Sequence, residues 1–131
     1  MRLIAALPLA LAVAACSLPG SQVDDGPGIV GTYVVNGVDP LGVEYSGTVV
    51  ISEGDAVSEF VITWLVTGAI HEGTGVLVGD ELRVEWITVQ GPRGDSTGAA
   101  MYTIGEDGTL VGTRTVDGLE GAGTEEIFPS G

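Results

Sequence analysis

The sequence predicts an all-β protein, a single small antiparallel up-and-down β-barrel of about eight strands, with a two-sheet sandwich as the alternative. Three observations carry this. Turn signals recur about every ten residues from Ile29 onward, the spacing of sandwiches and barrels. Beyond the N-terminal segment no window shows helical periodicity with caps. Glycine is abundant, at 22 of 131 residues. All 22 follow the N-terminal segment, about 19% of that stretch against an average near 7%, with no Gly-X-Y period. Such a pattern suits tight turns and closely curved strands rather than disorder.

The chain begins with an address. Arg2 precedes an apolar run from Leu3 to Ala15, which ends in Val13-Ala14-Ala15 just ahead of Cys16, the only cysteine. A positive start, a short apolar core and small residues at the end are the parts of an export signal. The run is too short for a membrane span, which needs roughly 20 residues. Residues 1–15 are therefore expected to be read and removed. Residues 16–28 read as a polar, Pro- and Gly-containing tether, whose twelve residues after Cys16 have an r.m.s. span of roughly 20 Å. Residues 29–131 form the barrel domain.

Eight strands follow in order. The first is Ile29–Val35, closed by a turn at Asn36-Gly37. Val43–Ser52 comes next, then a turn at Glu53-Gly54-Asp55. Ala56–Thr67 has the clearest alternation, with Phe60, Ile62, Trp64 and Val66 on one face. Ala69–Val78 meets a tight turn at Gly79-Asp80. Leu82, Val84 and Trp86 then alternate with Arg83 and Glu85. After a loop at Gln90–Gly94, the sixth strand spans Asp95–Ile104 and ends at an Asp107-Gly108 hairpin signal. Thr109–Val116 and Gly123–Phe128 complete the set. Short connections make sequential strands neighbours, and eight short strands need closure or a second sheet to remove their edges. The inward set is Tyr33, Tyr45, Val49, Ile51, Phe60, Ile62, Trp64, Leu77, Leu82, Val84, Trp86, Tyr102, Ile104, Leu110 and Ile127. Its rings (Tyr33, Tyr45, Phe60, Trp64, Trp86 and Tyr102) either fill the barrel or line a ligand cup; an eight-stranded barrel has room for one or the other.

After loss of the signal, 116 residues remain, enough for one domain. They carry Arg83, Arg93 and Arg114, no lysine and all 18 acidic residues, a side-chain charge of −15. That charge repels phosphate backbones and excludes nucleic acid as a partner. It also repels anionic headgroups, so attachment to a membrane must come from lipid and not from a basic patch. One cysteine allows no intramolecular disulfide.

Candidate sites are few. His71, the only histidine, reads as solvent-facing or satisfied. Ser96 beside Asp95 lacks the setting of a nucleophile. The acidic pairs Glu53/Asp55, Glu106/Asp107 and Asp117/Glu120 lack the spacing of a calcium loop, so no metal and no cofactor is expected. Arg114 shares a face with Leu110, and Glu125 shares one with Ile127. If both faces point inward, the last two strands bury an ion pair; otherwise both residues sit on the rim.

The N-terminal segment resembles the signal of bacterial lipoproteins, whose lipobox reads small-aliphatic, small, small, Cys. The resemblance implies that Cys16 is lipidated, with acyl chains such as palmitate, and becomes the first mature residue. Within the domain, Gly31-Thr32-Tyr33, Tyr45-Ser46-Gly47-Thr48-Val49, Trp64, Gly73-Thr74-Gly75 with Gly79-Asp80-Glu81-Leu82, Tyr102, Asp107-Gly108-Thr109-Leu110-Val111-Gly112 and Gly123-Thr124-Glu125 together resemble a largely uncharacterised family of small exported bacterial β-barrel lipoproteins. Some members carry a fibronectin-binding label. The resemblance spans most of Val30–Pro129 and brings no catalytic residues; the chain departs from it near Arg114, where an aromatic residue is expected. Gly31-Thr32-Tyr33 is also similar to the Gly-x-Trp that opens the lipocalin barrel, which implies the architecture and the anchor.

Together these readings describe a monomeric, lipid-anchored, non-enzymatic barrel of the bacterial cell envelope. It would act as a structural or interaction module with an envelope protein, or as a lipocalin-like carrier of a small apolar ligand.

Overall fold

The computed structural model describes residues 28–92 and 94–130, so the signal, Cys16 and most of the tether lie outside the described residues. The described chain is all-β. Its strands are β1 (Gly31–Val38), β2 (Glu44–Glu53), β3 (Glu59–Val66), β4 (Ala69–Val78), β5 (Glu81–Gln90), β6 (Thr97–Ile104), β7 (Leu110–Val116) and β8 (Gly123–Pro129). Each pairs antiparallel with the next, and β1 pairs with β8, which closes the barrel in sequence order. Closure removes both sheet edges, so every strand finds partners on two sides; the two-sheet sandwich is excluded.

The strands alternate with a period of two, and the inward positions build the core. Val35, Val49, Ile51, Ile62, Leu82, Leu110 and Ile127 are all at most 1% exposed. Each such side chain contributes about 1.5–3 kcal/mol of burial. Phe60, Leu77 and Ile104 pack against this core half-buried. Ile29, which precedes β1, is buried as well, and its carbonyl accepts a 2.6 Å hydrogen bond from the Tyr33 hydroxyl. The chain thus enters the barrel across one end and plugs it. At the opposite end lie the connections that follow β1, β3, β5 and β7.

Several boundaries differ from the sequence reading, the first strand beginning at Gly31 rather than Ile29 among them. Asn36-Gly37 is not a turn; β1 runs on to Val38, because Gly37 pairs with Tyr45 and lies beneath its ring. The turn is built instead by Asp39, whose Oδ1 accepts from the Leu41 and Val43 amides at 2.9 Å each, with Gly42 at φ +87°. The third strand starts at Glu59 rather than Ala56. Glu59 donates its amide to the Ala56 carbonyl at 3.1 Å, and Ser58 takes a left-handed φ of +68°. The sixth starts at Thr97, leaving Asp95 and Ser96 in the preceding loop.

Glycine serves a further purpose here. A ring on one strand packs over a glycine on the next: Tyr45 over Gly37, Tyr102 over Gly112, and Trp86 over Gly98. A small interior accepts large rings only where the facing position is small. A Cβ on Gly112 would collide with the Met101 carbonyl oxygen and come within 2.7 Å of the Tyr102 ring. Gly94 has nothing within 4 Å. Gly112→Ala is therefore expected to lower stability by about 1–3 kcal/mol in denaturant titration, the usual cost of overpacking, with Gly94→Ala near neutral.

Candidate functional site

The half of the barrel interior away from the plug is polar and aromatic. β7 and β8 lie side by side, with Arg114 facing Gly123 and Gly112 facing Glu125. Both charged side chains point inward, as the alternation around Leu110 and Ile127 requires. They meet as a buried ion pair: Arg114 Nη1 donates to Glu125 Oε2 at 3.0 Å, and the residues are 5% and 1% exposed. The rim alternative is excluded.

A buried charge is tolerated only when its remaining hydrogen-bond capacity is met. Glu125 meets this fully. Its Oε1 accepts from Trp64 Nε1 at 3.2 Å and from the Tyr102 hydroxyl at 2.5 Å. Its Oε2 accepts from the Tyr45 hydroxyl as well as from Arg114. Burial first, and the Glu125 carboxylate second, hold the Tyr45 and Tyr102 hydroxyls above their ordinary pKa of 10.0. Both therefore remain donors at every physiological pH.

The guanidinium is enclosed differently. Its carbon lies 4.5 Å from the Trp64 ring centroid and 4.3 Å from that of Trp86, so aromatic π-clouds cover it. Desolvated cation–π contacts of this kind contribute up to about 2 kcal/mol each. Arg114 Nη2 lies 2.9 Å from His71 Nδ1. A guanidinium can only donate, so Nδ1 accepts and the His71 proton sits on Nε2. Burial, then the neighbouring Arg114 charge, lower the His71 pKa to about 4; the ring is neutral at pH 7. It stacks on Trp86 with centroids 4.8 Å apart.

Above this cluster opens a cavity of about 330 Å³ at the unplugged end. Tyr45, His71, Trp86 and Arg114 reach it from below, while Val43, Val66, Ala69 and Val116 line it with apolar surface. Asp39 and Glu44 stand among the lining residues on the β1–β2 side. A register slip helps shape this end: His71 pairs with Thr88 and Ile70 with Gln90, which leaves Val89 bulged outward and 58% exposed.

The structure thus brings Tyr45, Trp64, Trp86, Tyr102, Arg114 and Glu125 into one cluster. It leaves Tyr33 at the plug and Phe60 at the edge of the lower core, both outside the site. His71 is the member that sequence reasoning did not assign to a site. The signal was its even spacing from Gly73 and the inward Leu77, but the parity of one histidine names no partner. Among the described residues no group of three or more His, Cys, Asp or Glu side chains is placed to hold a metal ion. No family model, curated protein or solved structure matches the chain.

Two outcomes follow from this geometry. Arg114→Ala leaves the Glu125 carboxylate buried without its cation, a loss of about 3–5 kcal/mol. At about 4–8 °C per kcal/mol for a domain of this size, the melting temperature should fall by more than about 12 °C. Glu85→Ala, on the exposed face of β5, should shift it little. The second concerns acid. The His71 pKa is about 4 in the folded state against 6.5 ordinarily. Between these values the unfolded chain binds a proton that the folded chain does not, so stability falls as pH drops from 6.5. Between pH 6.5 and 5, ahead of most carboxylate titration, the fall in wild-type melting temperature should exceed that of a His71→Gln variant.

Proposed function

We propose that this protein is a lipid-anchored module of the bacterial cell envelope whose barrel binds one small molecule in its open end, in the manner of a lipocalin-like carrier. The observation that carries this reading is the 330 Å³ cavity above the Arg114–Glu125 cluster. A barrel built only as a scaffold has no use for a hollow half lined with aromatic and hydrogen-bonding groups, since filling it would add burial energy. The volume lies at the small end of the range for ligand pockets.

A binding role is favoured over catalysis. The His71 Nδ1 that could act as a base is occupied by Arg114. Each oxygen of Glu125 already accepts two hydrogen bonds. Neither group is free to accept a proton at the cavity floor.

The anchor reading rests on the lipobox ending at Cys16. The fold is compatible with it, because the chain enters at the plugged end through Ile29 and the cavity opens at the other. A barrel tethered in this way would hold its mouth away from the point of attachment. The second reading, a structural or protein-interaction module, is favoured by the lower half of the barrel, which its own side chains fill.

Titration of the purified protein with N-phenyl-1-naphthylamine, an uncharged apolar fluorophore, separates the two readings. The carrier reading predicts a saturable, one-to-one quenching of tryptophan emission through Trp86; absence of any saturable change favours the scaffold. For the anchor, a Cys16→Ala variant should be recovered as soluble protein or with its signal uncleaved. A variant that matured and stayed firmly on the membrane would refute lipidation at Cys16, because the sequence after Cys16 has three arginines, no lysine and no second long apolar run.

A further inference from the structure

We infer that the floor of the open cavity is a hydrogen-bond donor site for an uncharged carbonyl oxygen carried on a compact apolar molecule. This rests on the reading of the cavity as a binding site and adds the class of ligand.

Arg114 has five N–H donors; one goes to Glu125 and one to His71, and the guanidinium also donates toward the Tyr45 hydroxyl oxygen. Its faces are covered by Trp64 and Trp86, so the remaining N–H groups are available only at the guanidinium edge. Arg114 is among the residues that line the cavity. His71 lines it too. With Nδ1 accepting from Arg114, its proton is on Nε2, and no protein group among the described residues takes that proton. The cluster's strongest acceptors are spent: both Glu125 oxygens are doubly engaged, and the Tyr45 hydroxyl donates to one of them. The floor therefore presents more donors than acceptors. Desolvated donors without partners are costly, and a ligand oxygen would satisfy them.

Charge selects among oxygens. The Arg114 cation is already matched by Glu125, and His71 is neutral. A carboxylate or phosphate would leave the cluster with a net negative charge in a half-buried place. It would also approach past Asp39 and Glu44, on a protein of net charge −14. A neutral carbonyl meets the donors without that repulsion. The apolar wall of Val43, Val66, Ala69 and Val116 suits a hydrocarbon body above it.

Three naphthalenes of one shape test this: 2-acetylnaphthalene, 2-ethylnaphthalene and 2-naphthoate. Each is titrated into purified protein by calorimetry, with the His71 imidazole and Arg114 guanidinium ¹⁵N–H signals followed by NMR. The acetyl compound is expected to bind at least about tenfold more tightly than either of the others and to shift the His71 Nε2–H signal. If the acetyl and ethyl compounds bind equally with tryptophan quenching, the cavity reading stands and the donor-site proposal fails. Tighter binding of naphthoate overturns the preference for a neutral oxygen. If none of the three binds, the cavity reading fails and the proposal with it.

Discussion

Everything in the upper half of this barrel depends on keeping one arginine and one glutamate out of water. The isolated cost of burying either ion is several kcal/mol even after relaxation, and a small domain has only about 5–15 kcal/mol of net stability. The chain meets this cost by surrounding the pair. Four donors converge on Glu125, and two indoles enclose Arg114, so neither charge is left with bare apolar neighbours. The members come from seven strands: Tyr45 on β2, Trp64 on β3, His71 on β4, Trp86 on β5, Tyr102 on β6, and the ion pair on β7 and β8. The cluster therefore pins the register of nearly the whole barrel, and a one-residue slip of any of these strands would turn its member outward.

The pair also explains why the barrel is half solid and half hollow. Below it, aliphatic side chains interdigitate and Ile29 closes the end. Above it, no comparable plug exists among the described residues, and the polar floor cannot be covered by apolar side chains without leaving donors unmet. The interior glycines belong to the same arrangement. They make space for the rings that carry the hydrogen bonds, at Gly37, Gly98 and Gly112.

Much of the fold was legible because it rests on local rules. Alternation gave the inward set from Tyr33 to Ile127, and turn chemistry gave the Gly79-Asp80 hairpin. Asn36-Gly37 misled for a physical reason: the same dipeptide suits a turn or a glycine seat for a ring, and only the partner strand decides which. The ion pair was legible through parity, since Arg114 and Glu125 share faces with apolar residues. What was not legible is convergence. That Tyr45, Trp64 and Tyr102 all reach Glu125, and that His71 accepts from Arg114, depends on barrel closure and strand stagger. No short-range pattern encodes those.

The most direct test of the central claim is a double-mutant cycle between Arg114→Met and Glu125→Gln, read by equilibrium denaturation. If the two charges are held by one another, each single variant strands its partner and loses about 3–5 kcal/mol. The double variant should then be more stable than the summed single losses by at least about 2 kcal/mol, well beyond the scatter of independent sites. Losses that add to within about 0.5 kcal/mol would contradict the account, since the two side chains would then be buried side by side without depending on each other.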